Sequence, residues 1–266
     1  AAKVMLTVTD STRKGYDMEY TFLEFVSDDQ IKSDAQNLIG QVMDILNDDT
    51  VGTTIRFRTD QYGKIVKYYN LKDIRKQAEE VLAKAISKMP YADSLRAVGL
   101  NPDKLMSMID SDNLVDGYTE EIELLFNYHG DQYKIGETES HEDATENEYA
   151  SDTKTEIWLD PDTYEYGISA DVYSYIPRED IKVLLGNLIE YFTDEESAKD
   201  VREGLDTEFD SQVTTDGVCN SYVRINYFND GWPQEVVSQN NISLGDCQKL
   251  TQKYITWDYR SVGHAE

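Results

Sequence analysis

Tyrosine is the residue type whose number and spacing point most clearly to binding chemistry, because the chain holds 19 of them. Five aromatic residues fall close together around one predicted hairpin: Trp158, Tyr164, Tyr166, Tyr173 and Tyr175. A tyrosine ring has apolar faces and a polar hydroxyl, so such a row could stack on sugars or accept a lipid. Alternating tyrosines also favour half-buried strands for reasons of packing alone. We treat the five residues as candidate ligand-lining residues, together with Met106 from an apolar segment predicted to cover a sheet.

The residues that usually carry catalysis lack the necessary spacing. His129, His141 and His264 form neither a His-Glu-x-x-His nor a His-x-His pattern, which disfavours a zinc enzyme. The chain has no Gly-x-Ser-x-Gly elbow, no P-loop and no dinucleotide-binding glycine pattern. Because the chain has 52 Asp and Glu residues, the presence of two carboxylates near each other does not indicate a glycosidase site. The sequence therefore predicts a protein without enzymatic activity, metal or cofactor.

One segment has part of a calcium-loop pattern. Asp112, Asp116, Gly117 and Glu123 have EF-hand spacing, but Leu114 stands where the loop needs an oxygen ligand. An ordinary turn after a helix is therefore the simpler interpretation.

The chain has two cysteines, Cys219 and Cys247, one on each side of a predicted hairpin at 222–240. Folding about Asp230 and Gly231 brings the two ends together, so we predict that the cysteines lie close in space. A disulfide bond and two unlinked thiols both remain open. The chain has no Cys-x-x-Cys pattern, which disfavours a redox or zinc pair.

Charge excludes several classes of partner. Lys and Arg number 25 against 52 Asp and Glu, which gives the 266-residue chain a net charge of −27. Such a charge repels phosphate backbones and anionic lipid surfaces, so we expect no nucleic-acid partner. No apolar run approaches the ~20 residues that span a membrane. The hydrophobic content of 39% is nevertheless too high for a disordered polyanion.

The hydrophobic pattern predicts hairpins that alternate with helices. Period-two alternation and turn residues predict hairpins at 4–26, 53–69, 119–138, 155–176 and 222–240, with a last strand at 250–259. Helical spacing predicts Gln30–Leu46 and Leu71–Met89, one or two short helices over 95–109, and helices after Pro177 and Thr193. The acidic run 139–154 is either a mobile loop or a polar pair of strands. The pattern indicates a single α+β domain, 1–266, with one large antiparallel sheet and helices on one face.

Three segments carry a resemblance to a known group of proteins. They are the opening hairpin from Val4 to Val26, the run Phe57-Arg58-Thr59-Asp60-Gln61-Tyr62-Gly63-Lys64-Ile65 that leads into Asn70 and a helix, and Asn229-Asp230-Gly231-Trp232-Pro233. The chain resembles the uncharacterised secreted lipoproteins of Bacteroidetes, which often resemble the lipoprotein carriers LolA and LolB. That resemblance implies a strongly curved half-barrel closed by helices, export, and an apolar concavity. It implies no catalytic residue.

The chain opens Ala1-Ala2-Lys3 without a leader, so we expect a mature chain from which a signal or lipid anchor has been removed. We expect an exported binding or carrier protein for an apolar or amphiphilic molecule, in the periplasm or on the outer-membrane surface of a Gram-negative bacterium. The alternative is a cell-surface glycan-binding or adhesion module, and a hydrolase without a recognisable motif is a third. An apolar cavity between sheet and helices favours the carrier, and an exposed row of Tyr and Trp favours the glycan module.

Overall fold

The computed structural model describes residues 1–25, 50–87, 111–146, 148–192 and 195–261. The protein is α+β, and every pairing between the described strands is antiparallel, as the sequence predicts. The chain divides into two compact units, Ala1–Asp131 with Tyr191–Asp194, and Gln132–Glu190 with Glu195–Glu266. Where the sequence predicts one large sheet, the described strands form two, of four and six strands. None of the described helices is both long and apolar enough to cross a bilayer.

The described residues of the first unit form a four-stranded sheet and two helices. Its strands are β1 (Ala2–Thr12), β2 (Gly15–Phe25), β3 (Thr54–Thr59) and β4 (Ile65–Tyr68), in that spatial order. The helices are α1 (Leu71–Ser87) and α2 (Ser111–Phe126). The hairpins predicted at 4–26 and 53–69 and the helix beginning at Leu71 are confirmed over the described residues. The predicted helix Gln30–Leu46 and the apolar segment with Met106 lie outside them.

Alternation along the strands builds the core of this unit. β2 buries Met18, Tyr20 and Phe22, while β3 buries Ile55 and Phe57 beside them. The helices supply the opposite wall with side chains spaced three, four or seven positions apart, which places them on one helical face: Ile74, Ala78 and Val81 from α1, and Val115, Ile122 and Phe126 from α2. The rings of Phe57 and Phe126 lie 5.7 Å apart, centroid to centroid.

The hairpin predicted at 119–138 is wrong, because Thr119 to Phe126 belongs to α2. Val115, Thr119, Ile122 and Phe126 are all buried, and their spacing of four, three and four residues is helical. The residues with EF-hand spacing consequently lie within this helix rather than in a loop.

The described part of the second unit forms a six-stranded sheet and two helices. Its strands are β5 (Gly136–Glu142), β6 (Ser151–Leu159), β7 (Tyr166–Ile176), β8 (Gly217–Tyr227), β9 (Pro233–Leu244) and β10 (Cys247–Thr256), and each pairs with the next. The helices are α3 (Arg178–Phe192) and α4 (Glu195–Gln212). The hairpins predicted at 155–176 and 222–240 are confirmed. Of the two alternatives for the acidic run, the polar pair of strands matches the pairing of β5 with β6.

The two faces of the six-stranded sheet differ in burial. On one face, which we call the covered face, Ile168, Ile225, Tyr227 and Val236 are buried. Helix α3 packs against this face, because a Cβ on Gly217 would lie 2.6 Å from Ile181 Cδ1. Residues on the opposite face point to solvent, and that face is the candidate site.

Candidate functional site

The open face is the side of the six-stranded sheet that carries every second residue of β5 to β10, opposite to the covered face. Register and alternation place on it Glu137, Glu139, His141, Asp152, Lys154, Glu156, Trp158, Gly167, Ser169, Asp171, Tyr173, Tyr175, Val218, Asn220, Tyr222, Arg224, Asn226, Glu235, Val237, Gln239, Asn241, Ser243, Gln248, Leu250, Gln252, Tyr254 and Thr256. Within this set only Gly167 is buried. The face is therefore a solvent-accessible surface on which aromatic, amide and carboxylate side chains alternate.

The structure separates the aromatic residues that the sequence grouped together. Trp158, Tyr173 and Tyr175 lie on the open face. Tyr166 lies on the covered face, where its ring stacks on Tyr227 at 4.8 Å. Tyr164 lies in the turn between β6 and β7 and has a positive φ of 59°. Met106, the sixth candidate, lies outside the described residues.

The indole ring of Trp158 occupies the space that a side chain on Gly167 would fill. It is paired with Gly167 across β6 and β7, and a Cβ on Gly167 would lie 2.4 Å from the indole ring. The glycine thus lets the indole lie flat against the strand. Gly167 precedes Tyr173 by six residues and Tyr175 by eight, so Trp158 lies about 20 Å along the sheet from Tyr173 and about 26 Å from Tyr175.

The tyrosine end of the open face holds a hydrogen-bonded cluster. His141 Nδ1 donates to Asp152 Oδ1 at 2.7 Å, and the Tyr175 hydroxyl donates to Asp152 Oδ2 at 2.8 Å. The hydrogen bond to Asp152 raises the pKa of His141, and the same contact lowers the pKa of Asp152. His141 Nε2 lies 3.4 Å from Asp143. Both ring nitrogens therefore face carboxylates, which suits a positioned polar group better than a general base.

Beside that cluster, Asp171 links two neighbouring strands. It accepts hydrogen bonds from Asn220 Nδ2 at 2.5 Å and from the Tyr173 hydroxyl at 3.3 Å. The negative charge of Asp171 raises the pKa of Tyr173, so this hydroxyl stays protonated and can donate. The tyrosine rings are held by these contacts while remaining about 40% exposed, 40% for Tyr173 and 39% for Tyr175.

A third cluster of polar side chains spans β8, β9 and β10, and the sequence did not predict it. Glu235 accepts hydrogen bonds from Asn226 Nδ2 at 2.8 Å and from the Tyr254 hydroxyl at 2.7 Å. Arg224 Nε donates to Asn226 at 3.3 Å. The alternation of each strand identifies which residues share a face, but only the register shows that these three strands are neighbours.

The charge of the open face is negative. Six carboxylates, at 137, 139, 152, 156, 171 and 235, share it with Lys154, Arg224 and His141. Lys154 pairs with Glu137 at 3.2 Å. An anionic ligand would be repelled from this surface, whereas a neutral ligand rich in hydroxyl groups meets both donors and acceptors.

The predicted proximity of the two cysteines is wrong, and both are free thiols. Cys219 pairs with Ile242 on β9, and Cys247 pairs with Leu244 on the same strand from the other side. Strand β9 therefore lies between them. Two strand spacings of about 4.8 Å place their Cα atoms beyond the ~7 Å that a disulfide bond permits. The hairpin does form, but its second strand ends before Cys247, which begins the next strand.

No family model matches the chain, and neither a curated protein nor a solved structure is similar to it. Across the described ranges, no group of three or more His, Cys, Asp and Glu side chains is arranged to hold a metal ion. The chemistry of the open face therefore has to be judged from its own residues.

Proposed function

We propose that the protein is a non-enzymatic glycan-binding module and that the open face of its six-stranded sheet is the binding surface. The observation that carries this proposal is the solvent accessibility of that face: it carries aromatic rings together with amide and carboxylate groups, and of its residues only Gly167 is buried. Sugar rings present apolar C–H faces together with hydroxyl groups. Such a ligand stacks on Tyr or Trp and exchanges hydrogen bonds with neighbouring polar groups.

The hydrogen bonds among the polar groups of the open face favour a sugar over a lipid as the ligand. The clusters centred on Asp152, Asp171 and Glu235 hold tyrosine hydroxyls in place before a ligand arrives. Side chains fixed in this way lose little conformational freedom on binding, which favours affinity. A lipid tail would instead remove these charged groups from water, and desolvating a carboxylate is unfavourable even where hydrogen bonds pair it.

The charge of the face narrows the class of glycan. Its excess of carboxylates disfavours uronic-acid and sulfated chains and favours neutral or amino sugars. Export to a cell surface or periplasm, as the sequence predicts, is the location at which such a ligand is met, and we retain it as part of this proposal.

The carrier interpretation depends on features elsewhere in the chain. Its apolar cavity would be lined in part by the helix Gln30–Leu46 and the segment around Met106, which lie outside the described residues. Its half-barrel would need one large curved sheet, whereas the described strands form two sheets. The carrier, the likeness to LolA and LolB, and the absence of enzymatic activity accordingly stay predictions. Native mass spectrometry of protein purified from its own host tests the carrier, since a retained lipid adds mass.

Binding to an array of neutral, amino and acidic oligosaccharides tests the proposed function. We expect binding to neutral or amino chains, and an approximately tenfold weaker Kd in Tyr173→Ala and Tyr175→Ala because each loses a stacking ring. Tyr62→Ala is the matched control, since Tyr62 is 66% exposed in the β3–β4 turn of the first unit. Binding of acidic chains alone, or equal losses in all three variants, would contradict the proposal.

A further inference from the structure

The β3–β4, β6–β7 and β8–β9 hairpin turns each contain a residue with positive φ, and one of these three residues is not a glycine. In the β3–β4 turn the residue is Gly63, and in the β8–β9 turn it is Gly231, each with a φ of 87°. The amide of each glycine bonds to the carbonyl three residues earlier, Asp60 and Phe228 respectively. In the β6–β7 turn the residue is Tyr164, with a φ of 59°. Its amide donates to the Asp160 carbonyl at 2.9 Å.

A left-handed backbone is unfavourable for a tyrosine, because its Cβ crowds the neighbouring peptide groups, whereas glycine adopts it freely. Burial of the ring does not offset that cost, since Tyr164 is 68% exposed. The rest of the turn follows ordinary turn chemistry, with Asp160 Oδ1 accepting from the amides of Asp162 and Thr163. A tyrosine thus occupies a position at which the backbone conformation favours glycine. Strained residues of this kind concentrate at functional sites.

Other aromatic residues gather at the same end of the six-stranded sheet. We call this the turn end and define it by Tyr164, Trp232 and Tyr259, which lie in the β6–β7 turn, in the β8–β9 turn and just after β10. Because neighbouring strands are antiparallel, these three segments lie at the same end of the strands. Tyr259 is 80% exposed. Trp158, on the open face, occupies the second-to-last position of β6 and so lies at this end too.

The segment after β10 is held firmly against the β8–β9 turn. Trp257 Nε1 donates to the Pro233 carbonyl at 2.6 Å. Arg260 forms a salt bridge with Asp230, and its guanidinium lies 4.3 Å from the centroid of the Phe228 ring. Tyr259 lies between these two anchored residues, so its exposed ring projects from a fixed backbone.

We propose that the turn end is a second sugar-binding subsite and that Tyr164 is its stacking residue. This inference rests on the proposed function, because it assigns one terminal sugar of the same glycan to the turn end and leaves the following sugars to the open face beyond Trp158. The local charge is negative, with Asp160, Asp162 and Asp230 against Arg260, and disfavours an anionic sugar. The exposed rings supply the apolar contact that a sugar face needs.

The test compares stability with binding in variants of the full chain. Tyr164→Gly removes the ring and gives the turn the residue that its backbone favours, while Tyr164→Phe keeps the ring. The probes are chitohexaose, maltohexaose, xylohexaose and mannohexaose, measured by calorimetry, with thermal unfolding recorded for each variant. We expect Tyr164→Gly to bind about tenfold more weakly with an unfolding midpoint no lower than that of the wild type. Tyr164→Phe and the wild type should bind alike.

The outcomes separate this inference from the proposed function. The turn-end subsite is overturned if Tyr164→Gly binds as the wild type does, or if its unfolding midpoint is clearly lower. Binding losses in Tyr173→Ala would still support the open face in that case. Loss of binding in Tyr164→Gly with none in Tyr173→Ala and Tyr175→Ala supports the turn end and removes the open face from the proposal. A wild-type protein that binds none of the four probes overturns both.

Discussion

The hydroxyl of Tyr20 donates a 2.6 Å hydrogen bond to Glu121 Oε2, which joins β2 to α2 across 101 residues of sequence. Tyr20 is only 1% exposed. Burial is the main cause that raises the pKa of Tyr20 above its ordinary value, and the negative Glu121 adds to it. The bond therefore ties the sheet of the first unit to the helix that the sequence pattern did not predict.

Replacing Tyr20 by Phe should lower the free energy of unfolding by about 1–2 kcal/mol, since Glu121 loses a buried donor. Urea denaturation measures the loss, and Tyr62→Phe, at an exposed turn, should change it by less than about 0.5 kcal/mol. The raised pKa also predicts a pH effect. The unfolded chain ionises Tyr20 first, so this contribution is complete below about pH 10 and is lost above it. If the free energy of unfolding declines above pH 10 as much in Tyr20→Phe as in the wild type, the pH effect does not come from Tyr20.

Gly167→Ala should displace Trp158, because the new Cβ would lie 2.4 Å from the indole. We expect a destabilisation of about 1–3 kcal/mol from this overpacking, together with a change in tryptophan fluorescence. Gly117→Ala is the matched control: a Cβ there meets nothing within 4 Å and the site lies in α2, so stability should rise by about 0.5–1 kcal/mol. An unaltered fluorescence spectrum in Gly167→Ala would show that the indole does not depend on the glycine.

The pairing of β5 with β6 should weaken as pH rises through the raised pKa of His141. Protonated His141 is bound by Asp152 and faces Asp143, so its contribution is complete below the unfolded pKa of about 6.5 and disappears above the folded one. Hydrogen exchange of the β5 amides, corrected for intrinsic rates, measures this between about pH 5 and 9. His141→Asn should abolish the pH dependence. The same dependence in that variant would assign it to another group.

Both cysteines should react with a maleimide without prior reduction, and Cys247 should react faster because it is the more exposed of the two. Under oxidising conditions the monomer should form no internal disulfide bond, since β9 separates the two thiols. Mass spectrometry of the labelled protein counts the modified sites. A loss of two protons in the unlabelled monomer would reveal a bond and would require a different arrangement of β8 to β10.

The sequence predicted the local hairpins and missed their assembly into sheets. Alternation and turn residues near Gly63 and Gly231 act between neighbours in the chain, so the hairpins at 53–69 and 222–240 could be recognised. Strands β4 and β5 could have paired to give one sheet, but each is instead the edge strand of a separate sheet. Contacts between distant residues decide this, and periodicity does not encode them. Residues 119–126 satisfied both alternation and helical spacing, and the burial of Ile122 and Phe126 against the first sheet decided for the helix.

The candidate site was predictable in part. Tyr166 and Tyr173 are an odd number of residues apart, so they had to lie on opposite faces of one strand. Which face stays open depends on where α3 packs, and no pattern within β7 shows that. The special position of Tyr164 was hidden for a different reason: its positive φ follows from the closure of the turn, at a place where the sequence contains no glycine.

Strand β5 ends the six-stranded sheet, and its seven residues are all exposed. An open strand edge invites a second chain to add to the ladder, which is how many folded proteins begin to aggregate. Glu137, Glu139 and Glu142 lie along this edge, so two copies that approached each other edge to edge would bring like charges within one strand spacing. The acidic run that first raised the question of a loop therefore also protects solubility, by making a β5-to-β5 contact between two copies electrostatically unfavourable.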